Sequence, residues 1–293
     1  MKELFLAPMH KIGILSFREL CRKCEADTAY TPMISTKAYL YNPDNFKWTK
    51  KEAVQLIGNE PEEFKECAKK IRDCEYLDLN AGCPSNDAVS IGAGAALLKN
   101  PDKLSAIIKA MAKYSNVPVS VKIRLGWKKD ESLKIAKLAE KSGAERIAVH
   151  ARKFIDNYSV KADWNAIKKI KKELKMPVIA NGDIDSAISA KECLKITGAD
   201  GLMIARKAMT NPLIFKEIKH YEKAGEILRF EKKDKAKLIN DFIKLYKKHE
   251  KYNFSELRTQ AVLMCNGFNK ATNLRNELSR CKDEKELTNL FNS

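Results

Sequence analysis

The sequence lacks most of what an exported or membrane-bound protein needs. No apolar run is long enough to span a bilayer. The opening Met1-Lys2-Glu3-Leu4-Phe5-Leu6-Ala7-Pro8 is too short for the apolar region of a signal peptide and has no cleavage pattern. A cytoplasmic protein with no membrane partner is the expectation. A disulfide framework is missing as well. The eight cysteines, at 21, 24, 67, 74, 83, 193, 265 and 281, are scattered through helical and strand patterns and read as reduced thiols. Histidine is scarce, with four in the chain. The sole C-x-x-C, Cys21-Arg22-Lys23-Cys24, lies on an amphipathic helical pattern without a second ligand pair, so no metal site is expected. Low-complexity linkers and short repeats are absent too.

What is present is a chain of 293 residues, 44% hydrophobic, enough to bury a real core. It carries 55 Lys and Arg against 38 Asp and Glu, a formal charge of +17. A lysine-rich surface laced with ion pairs would be more nearly balanced. The excess points to a polyanionic partner, nucleic acid first.

Short apolar strands alternate with helical patterns. Strands are expected at Leu4–Ala7, Ala29–Thr31, Ala53–Ile57, Tyr76–Leu79, Val117–Ile123, Arg146–Val149, Val178–Ala180 and Gly201–Ile204. Helices are expected over Ser16–Glu25, with Ser16 as cap, then Pro61–Arg72, Asp102–Tyr114, Glu131–Ser142, Asp163–Leu174 and Asp185–Ile196. Met33–Lys51 and Asp87–Gly94 read as loops. Eight such units over about 225 residues predict an α/β fold of the TIM (β/α)8 barrel type. An open doubly wound sheet would show a glycine fingerprint after the first strand, and Pro8-Met9-His10-Lys11 is none.

From about residue 229 helical spacing takes over. Leu238, Ile239, Phe242, Ile243, Leu245 and Tyr246 share one face, and Leu257, Ala261, Cys265 and Phe268 another. This suggests a barrel over 1–228 and a small all-helical domain over 229–293. The tail carries 15 Lys and Arg against 9 Asp and Glu, about twice the barrel's net charge per residue.

Barrel active sites form at the carboxyl ends of the strands. Here those ends repeatedly turn polar: Met9, Gln55, Asn80, Cys83, Lys122, Arg124, His150, Arg152, Asn181, Asp183 and Arg206. Two facing carboxylates for glycoside hydrolysis are not among them, nor is a metal-ligand cluster. Cys83 sits in Asn80-Ala81-Gly82-Cys83-Pro84, where Gly82 permits a turn and Pro84 bars a helix. The thiol is thereby presented on a tight loop just past a strand. The last two strands end in Asn181-Gly182-Asp183 and Ala205-Arg206, the usual phosphate-binding position of this fold. A phosphorylated cofactor there would bring its reactive ring toward Lys122, with Gln55 and Asn80 on its edges and Cys83 as a proton donor to the substrate.

The chain resembles the tRNA-dihydrouridine synthases. The resemblance is carried by Ala7-Pro8-Met9, Gln55-Leu56-Ile57-Gly58, Asp78-Leu79-Asn80-Ala81-Gly82-Cys83-Pro84 and Gly92-Ala93-Gly94-Ala95-Ala96-Leu97-Leu98. It continues through Val121-Lys122-Ile123-Arg124-Leu125-Gly126-Trp127, His150-Ala151-Arg152, Ala162-Asp163-Trp164, Asn181-Gly182-Asp183-Ile184 and Met203-Ile204-Ala205-Arg206. The resemblance implies an FMN enzyme, reduced by NADPH, that passes hydride to C6 of a uracil in tRNA while Cys83 protonates C5. It implies Pro8, Met9, Gln55, Lys122, His150, Asn181, Gly182, Asp183, Ala205 and Arg206 around the cofactor. Asn80, Lys122, Arg124, His150 and Arg152 would meet the base, and the tail and rim the RNA. A monomer is expected. The family usually has glycine where Ala205 and Lys207 stand and threonine where Lys153 stands, and residues 154–161 match weakly. The alternative is an FMN barrel oxidoreductase of the dihydroorotate dehydrogenase type, acting on a free pyrimidine; it would give no role to a basic tail.

Overall fold

A computed structural model describes residues 2–265 and 271–292. Nine strand segments run parallel: β1 (Glu3–Leu6), β2 (Thr28–Tyr30), β3 (Ile34–Ser35), β4 (Glu52–Ile57), β5 (Tyr76–Ala81), β6 (Val119–Arg124), β7 (Arg146–His150), β8 (Val178–Asn181) and β9 (Gly201–Ile204). β1 pairs with β9 on one side, Leu4 opposite Leu202, and with β2 on the other, Leu6 opposite Ala29. β2 then pairs with β4, Ala29 opposite Glu52, and the ring closes. β3 pairs with β4 further along, Ile34 opposite Leu56, so β2 and β3 form one stave interrupted around Pro32. Proline has no N–H to give the ladder, which is why the stave breaks there. Eight staves make the expected barrel.

The helices fill the outside: α1 (Leu15–Lys23), α2 (Thr36–Tyr41), α3 (Pro61–Lys70), α4 (Asn86–Ser90), α5 (Pro101–Tyr114), α6 (Ser132–Lys141), α7 (Trp164–Glu173), α8 (Ala187–Thr197), α9 (Arg206–Thr210) and α10 (Ile214–Ala224). Local chemistry sets their ends. Asn100 caps α5 by accepting from the Lys103 N–H at 3.0 Å, and Gly198 closes α8 in the left-handed conformation. The cap expected from Ser16 is not formed. α1 starts one residue earlier, Ser16 is buried in its first turn, and its N–H donates to the Glu250 carboxylate at 2.9 Å. Two segments expected as loops are partly ordered. Met33–Lys51 holds β3 and α2, the latter capped by Ser35, and Asp87–Gly94 overlaps α4, capped by Ser85. A short helix with one cap and little periodicity gives no signal that a sequence pattern can register.

The apolar layer between strands and helices is continuous. The barrel interior is separate and small: Phe5, Ala7, Tyr30, Ala53, Ala148, Ile179 and Met203, with Tyr76 and Ala205 beside them. Its alanines leave room for polar side chains. Arg146 fills the floor, fully buried, stacked on Tyr76 at 3.5 Å and Phe5 at 4.6 Å, and donating to the Tyr30 hydroxyl at 3.2 Å.

Four helices follow: α11 (Lys232–His249), α12 (Phe254–Met264), α13 (Ala271–Arg280) and α14 (Glu284–Asn292). α11 buries Leu238, Ile239, Phe242, Ile243, Leu245 and Tyr246, the face read from the sequence, and lies on α1. Leu257, Ala261 and Cys265 are buried as expected, while Phe268 lies outside the described residues. α12 reaches α9 and sends the Gln260 amide toward the Ile12 carbonyl, so the tail abuts the rim of the barrel's carboxyl end.

Candidate active site

The carboxyl end of the barrel opens into a cavity of about 750 Å³, within the usual size of a cofactor or ligand site. Of the fourteen residues expected at the site, thirteen line it: Pro8, Gln55, Asn80, Cys83, Lys122, Arg124, His150, Arg152, Asn181, Gly182, Asp183, Ala205 and Arg206. Met9 does not. Its side chain packs into the apolar layer while its neighbours Pro8 and His10 face the cavity. Several polar residues read as strand exits are the last ladder residues themselves: Asn80, Lys122, Arg124, His150 and Asn181 belong to β5, β6, β7 and β8. Strand backbone therefore holds part of the site, and the segments that follow the strands hold Cys83, Arg152, Gly182, Asp183, Ala205 and Arg206.

On the β4–β6 side, neutral groups hold one another. The Asn80 amide donates to the Gln55 carbonyl at 2.8 Å, and its own carbonyl accepts the N–H groups of Gly82 at 3.1 Å and Cys83 at 2.8 Å. Cys83 is half-buried, whereas the other seven cysteines are buried. Its thiol donates to the Ser85 hydroxyl at 3.3 Å, and its carbonyl accepts from the Ala95 N–H at 2.9 Å. Gly82 is needed for a reason other than the turn freedom expected: its φ is not positive, but a Cβ there would sit 3.3 Å from the Ile123 carbonyl carbon. Gly94 does need its freedom, with φ at 58° and the Cys83 carbonyl 2.7 Å from where a Cβ would be.

Lys122 stands beside Asn80 in register and donates to the Asn181 carbonyl at 3.2 Å. Burial, with Arg124 next to it, pulls its pKa down to about 8. Arg124 is buried and spends its guanidinium on the carbonyls of Gly82 and Lys153, pinning the cysteine loop to the loop after β7. His150 is pulled down to about 2 by burial and by Lys122, Arg124, Arg152 and Arg206 around it, so it is neutral. Arg152 lies 3.4 Å from its Nε2. A guanidinium only donates, so Nε2 accepts and the ring proton sits on Nδ1.

On the β7–β9 side, charges hold one another. Arg152 lines the cavity yet is fully buried. It pairs with both Asp183 oxygens at 2.7 and 2.8 Å and donates to the Val160 carbonyl at 2.7 Å. These donors shape the loop after β7. Asp183 also accepts from Arg206 at 3.0 Å and from the Ala162 N–H at 2.8 Å. Its hydrogen bonds to Arg152 and Ala162, with the two arginine charges, hold its carboxyl below the usual range against the opposing effect of burial. The backbone at Gly182 and Asp183 has positive φ, 125° and 52°, and both residues line the cavity. Asn181 bridges the two sides, donating to the Met203 carbonyl at 2.7 Å.

The sequence reading missed Tyr158. It is exposed, lines the cavity and lies under Arg206 at 4.3 Å from ring centroid to guanidinium. No periodicity marks it, because it stands in an irregular loop. Trp127 and Phe154, from successive loops, stack at 3.6 Å, with Lys99 over the indole at 4.2 Å. Among the described residues no group of acidic, histidine or cysteine side chains could hold a metal ion, and no helix is long and apolar enough to cross a membrane.

Comparison with known proteins agrees with the barrel fold and shows the family. Histamine dehydrogenase from Rhizobium sp. 4-9 superposes with a TM-score of 0.56 at 10% identity, over 83% of this chain and 49% of that one, and shares the fold. The tRNA-dihydrouridine synthase B of Pseudomonas syringae pv. tomato is 36% identical over 77% of this chain and 70% of its own. That of Vibrio vulnificus is 38% identical over 76% and 73%. The sequence model of the dihydrouridine synthase family matches residues 5–292, and this chain belongs to that family.

Proposed function

We propose that this protein is a tRNA-dihydrouridine synthase: it reduces the C5–C6 double bond of specific uridines in tRNA, with FMN as cofactor and NADPH as reductant. The observation that carries the reading is the half-buried Cys83 thiol sharing one cavity with Lys122 and with the anion-suited exits of β8 and β9, in a chain of this family.

The residues present fit the cofactor. Gln55 and Asn80 offer amides and Lys122 a cation for a polar ring edge. The N–H groups of Gly182, Asp183, Ala205 and Arg206, with the Arg206 side chain, would hold a phosphate. The flavin, when bound, supplies the hydride that uracil receives at C6. Cys83 supplies the other half of the reduction. Uracil accepts hydride poorly until the charge growing at C5 is quenched by an acid. The thiol, held by Ser85 and by the Asn80 loop, gives its proton to C5 and is reprotonated from solvent. Neutral His150, with its Nδ1 proton, offers a donor without adding charge.

A base inside folded tRNA must leave its stack to reach such a cavity. Phosphate contacts from Lys and Arg carry the binding. We assign the RNA surface to the rim and to the helices from residue 229 on, where α12 meets α9. One copy carries both cavity and tail, so a monomer suffices, acting in the cytoplasm where tRNA is used.

The deciding experiment is a single turnover. The bound flavin is reduced without oxygen, unmodified tRNA is added, and flavin reoxidation and dihydrouridine are followed together. Their joint appearance is the expected outcome. A flavin reoxidised by a free pyrimidine but not by tRNA would replace this reading with the dihydroorotate dehydrogenase type.

A further inference from the structure

We propose that Asp78 is a positioning residue, whose buried carboxylate anchors a hydrogen-bond relay through Gln55 and Asn80 that holds the Cys83 loop. The proposal rests on the reading of Cys83 as proton donor.

Asp78 faces the barrel interior one turn of the pleat below Asn80 and is fully buried. It stands in register between Gln55 on β4 and Ser120 on β6. Ser120 donates to one oxygen at 2.5 Å and the Gln55 amide to the other at 2.8 Å. An ionised carboxylate only accepts. The NH2 of Gln55 must therefore face Asp78, which turns its carbonyl to the Asn80 NH2 further along β5. That in turn leaves the Asn80 carbonyl for the N–H groups of Gly82 and Cys83. A chain of amides can run in either direction, and here both ends select the same one: the backbone N–H groups only donate, and the carboxylate only accepts, as a charged and therefore stronger acceptor. Arg146 on the floor does not take the carboxylate: it donates to Tyr30 and stacks on Tyr76. A buried carboxylate without an ion pair weakens a fold, so packing gives no account of it.

Burial pushes the Asp78 carboxyl up to about 6. The titratable and charged groups facing it are Tyr30 from β2, Lys122 from β6 and Arg146 from β7. Tyr30 is pushed up to about 12, Lys122 down to about 8, and Arg146 stays cationic. None of them titrates between pH 5 and 7. A protonated Asp78 offers Gln55 a neutral oxygen in place of a carboxylate, a weaker acceptor, and the relay loosens at its anchor.

The test compares the flavin-loaded wild type with Asp78→Asn. In single turnover with unmodified tRNA the variant should react on the order of ten to a hundred times more slowly, with half-saturating tRNA within about twofold of wild type. The wild-type rate should fall between pH 7 and 5, and the variant's should be flat there. Iodoacetamide reads the loop directly, because seven of the eight cysteines are buried; Cys83 should be alkylated several times faster in the variant. The melting temperature at pH 7.5 should not fall, since an acid with a raised pKa weakens the fold when ionised. Wild-type turnover and alkylation in the variant would overturn the proposal. So would a lower melting temperature with kcat and KM lost together, the mark of a merely structural role. Should the variant not fold, a wild-type rate that is flat from pH 7 to 5 overturns it. If wild type itself does not reduce tRNA, the functional reading fails, and the alkylation contrast still decides the relay.

Discussion

On the β4–β6 side of the cavity, Gln55, Asn80 and the Cys83 loop are held by neutral hydrogen bonds in one direction. On the β7–β9 side, Arg152, Asp183 and Arg206 are held by opposite charge. Under the proposed function the difference follows from what each side would do. Moving a proton to one carbon needs a donor fixed within a fraction of an ångström, and directional hydrogen bonds give that. Holding an anion needs positive potential, which is long-ranged and tolerant of position. Even the two arginines that pair with Asp183 differ: Arg152 is buried, whereas the Arg206 side chain is 54% exposed.

The sharpest way to break the comparison is Cys83→Ala. It should keep its flavin, since nothing on the charged side changes, and lose about 10² to 10⁴ in the rate of tRNA reduction in single turnover. A fully active variant would remove the proton role from that side. The charged side is tested by its own pair of variants. Arg152→Met should lower stability by about 3 kcal/mol in urea unfolding, because a buried ion pair and a loop anchor go together. Arg206→Ala should lower it by less than about 1 kcal/mol and instead release flavin about tenfold more readily. Equal effects from the two would erase the distinction.

Lys122 lies where the two sides meet, and pH separates its charge from its contacts. Below about pH 8 it is a cation, and above that it loses its proton and its pull on an anion. Cofactor affinity should therefore weaken above pH 8, by up to about tenfold per unit. Binding there should take up a proton, measurable by calorimetry in buffers of different ionisation enthalpy. Lys122→Met should be weaker throughout and flat. The smallest effect concerns neither side. Glu250→Ala removes the carboxylate that receives the Ser16 N–H and should cost about 1 kcal/mol of thermal stability without changing turnover.

The barrel was legible because its signal is local and repeated. Short apolar strands alternate with amphipathic helices, and polar residues recur at the strand ends. That recurrence also exposed most of the cavity, because a side chain at the carboxyl end of an inward-facing barrel position has few places to go. Met9 shows the limit: its neighbours face the cavity and it does not, a matter of one backbone rotation after β1.

By itself the sequence determined the eight staves, the helical tail, the presentation of Cys83 between Asn80 and Pro84, and the excess of positive charge. Those depend on period, turn chemistry and composition, which a linear chain carries. Only the tertiary structure decided that Arg152 is spent on Asp183 and that Tyr158 stands over the cavity. The same holds for Glu250, 234 positions away, capping the helix that Ser16 was expected to cap, and for Asp78 polarising the amides that lead to the thiol. Each of those is a pairing between distant residues. A donor's choice among acceptors is settled by which one is brought near while water is excluded, and that is known only once the barrel has closed.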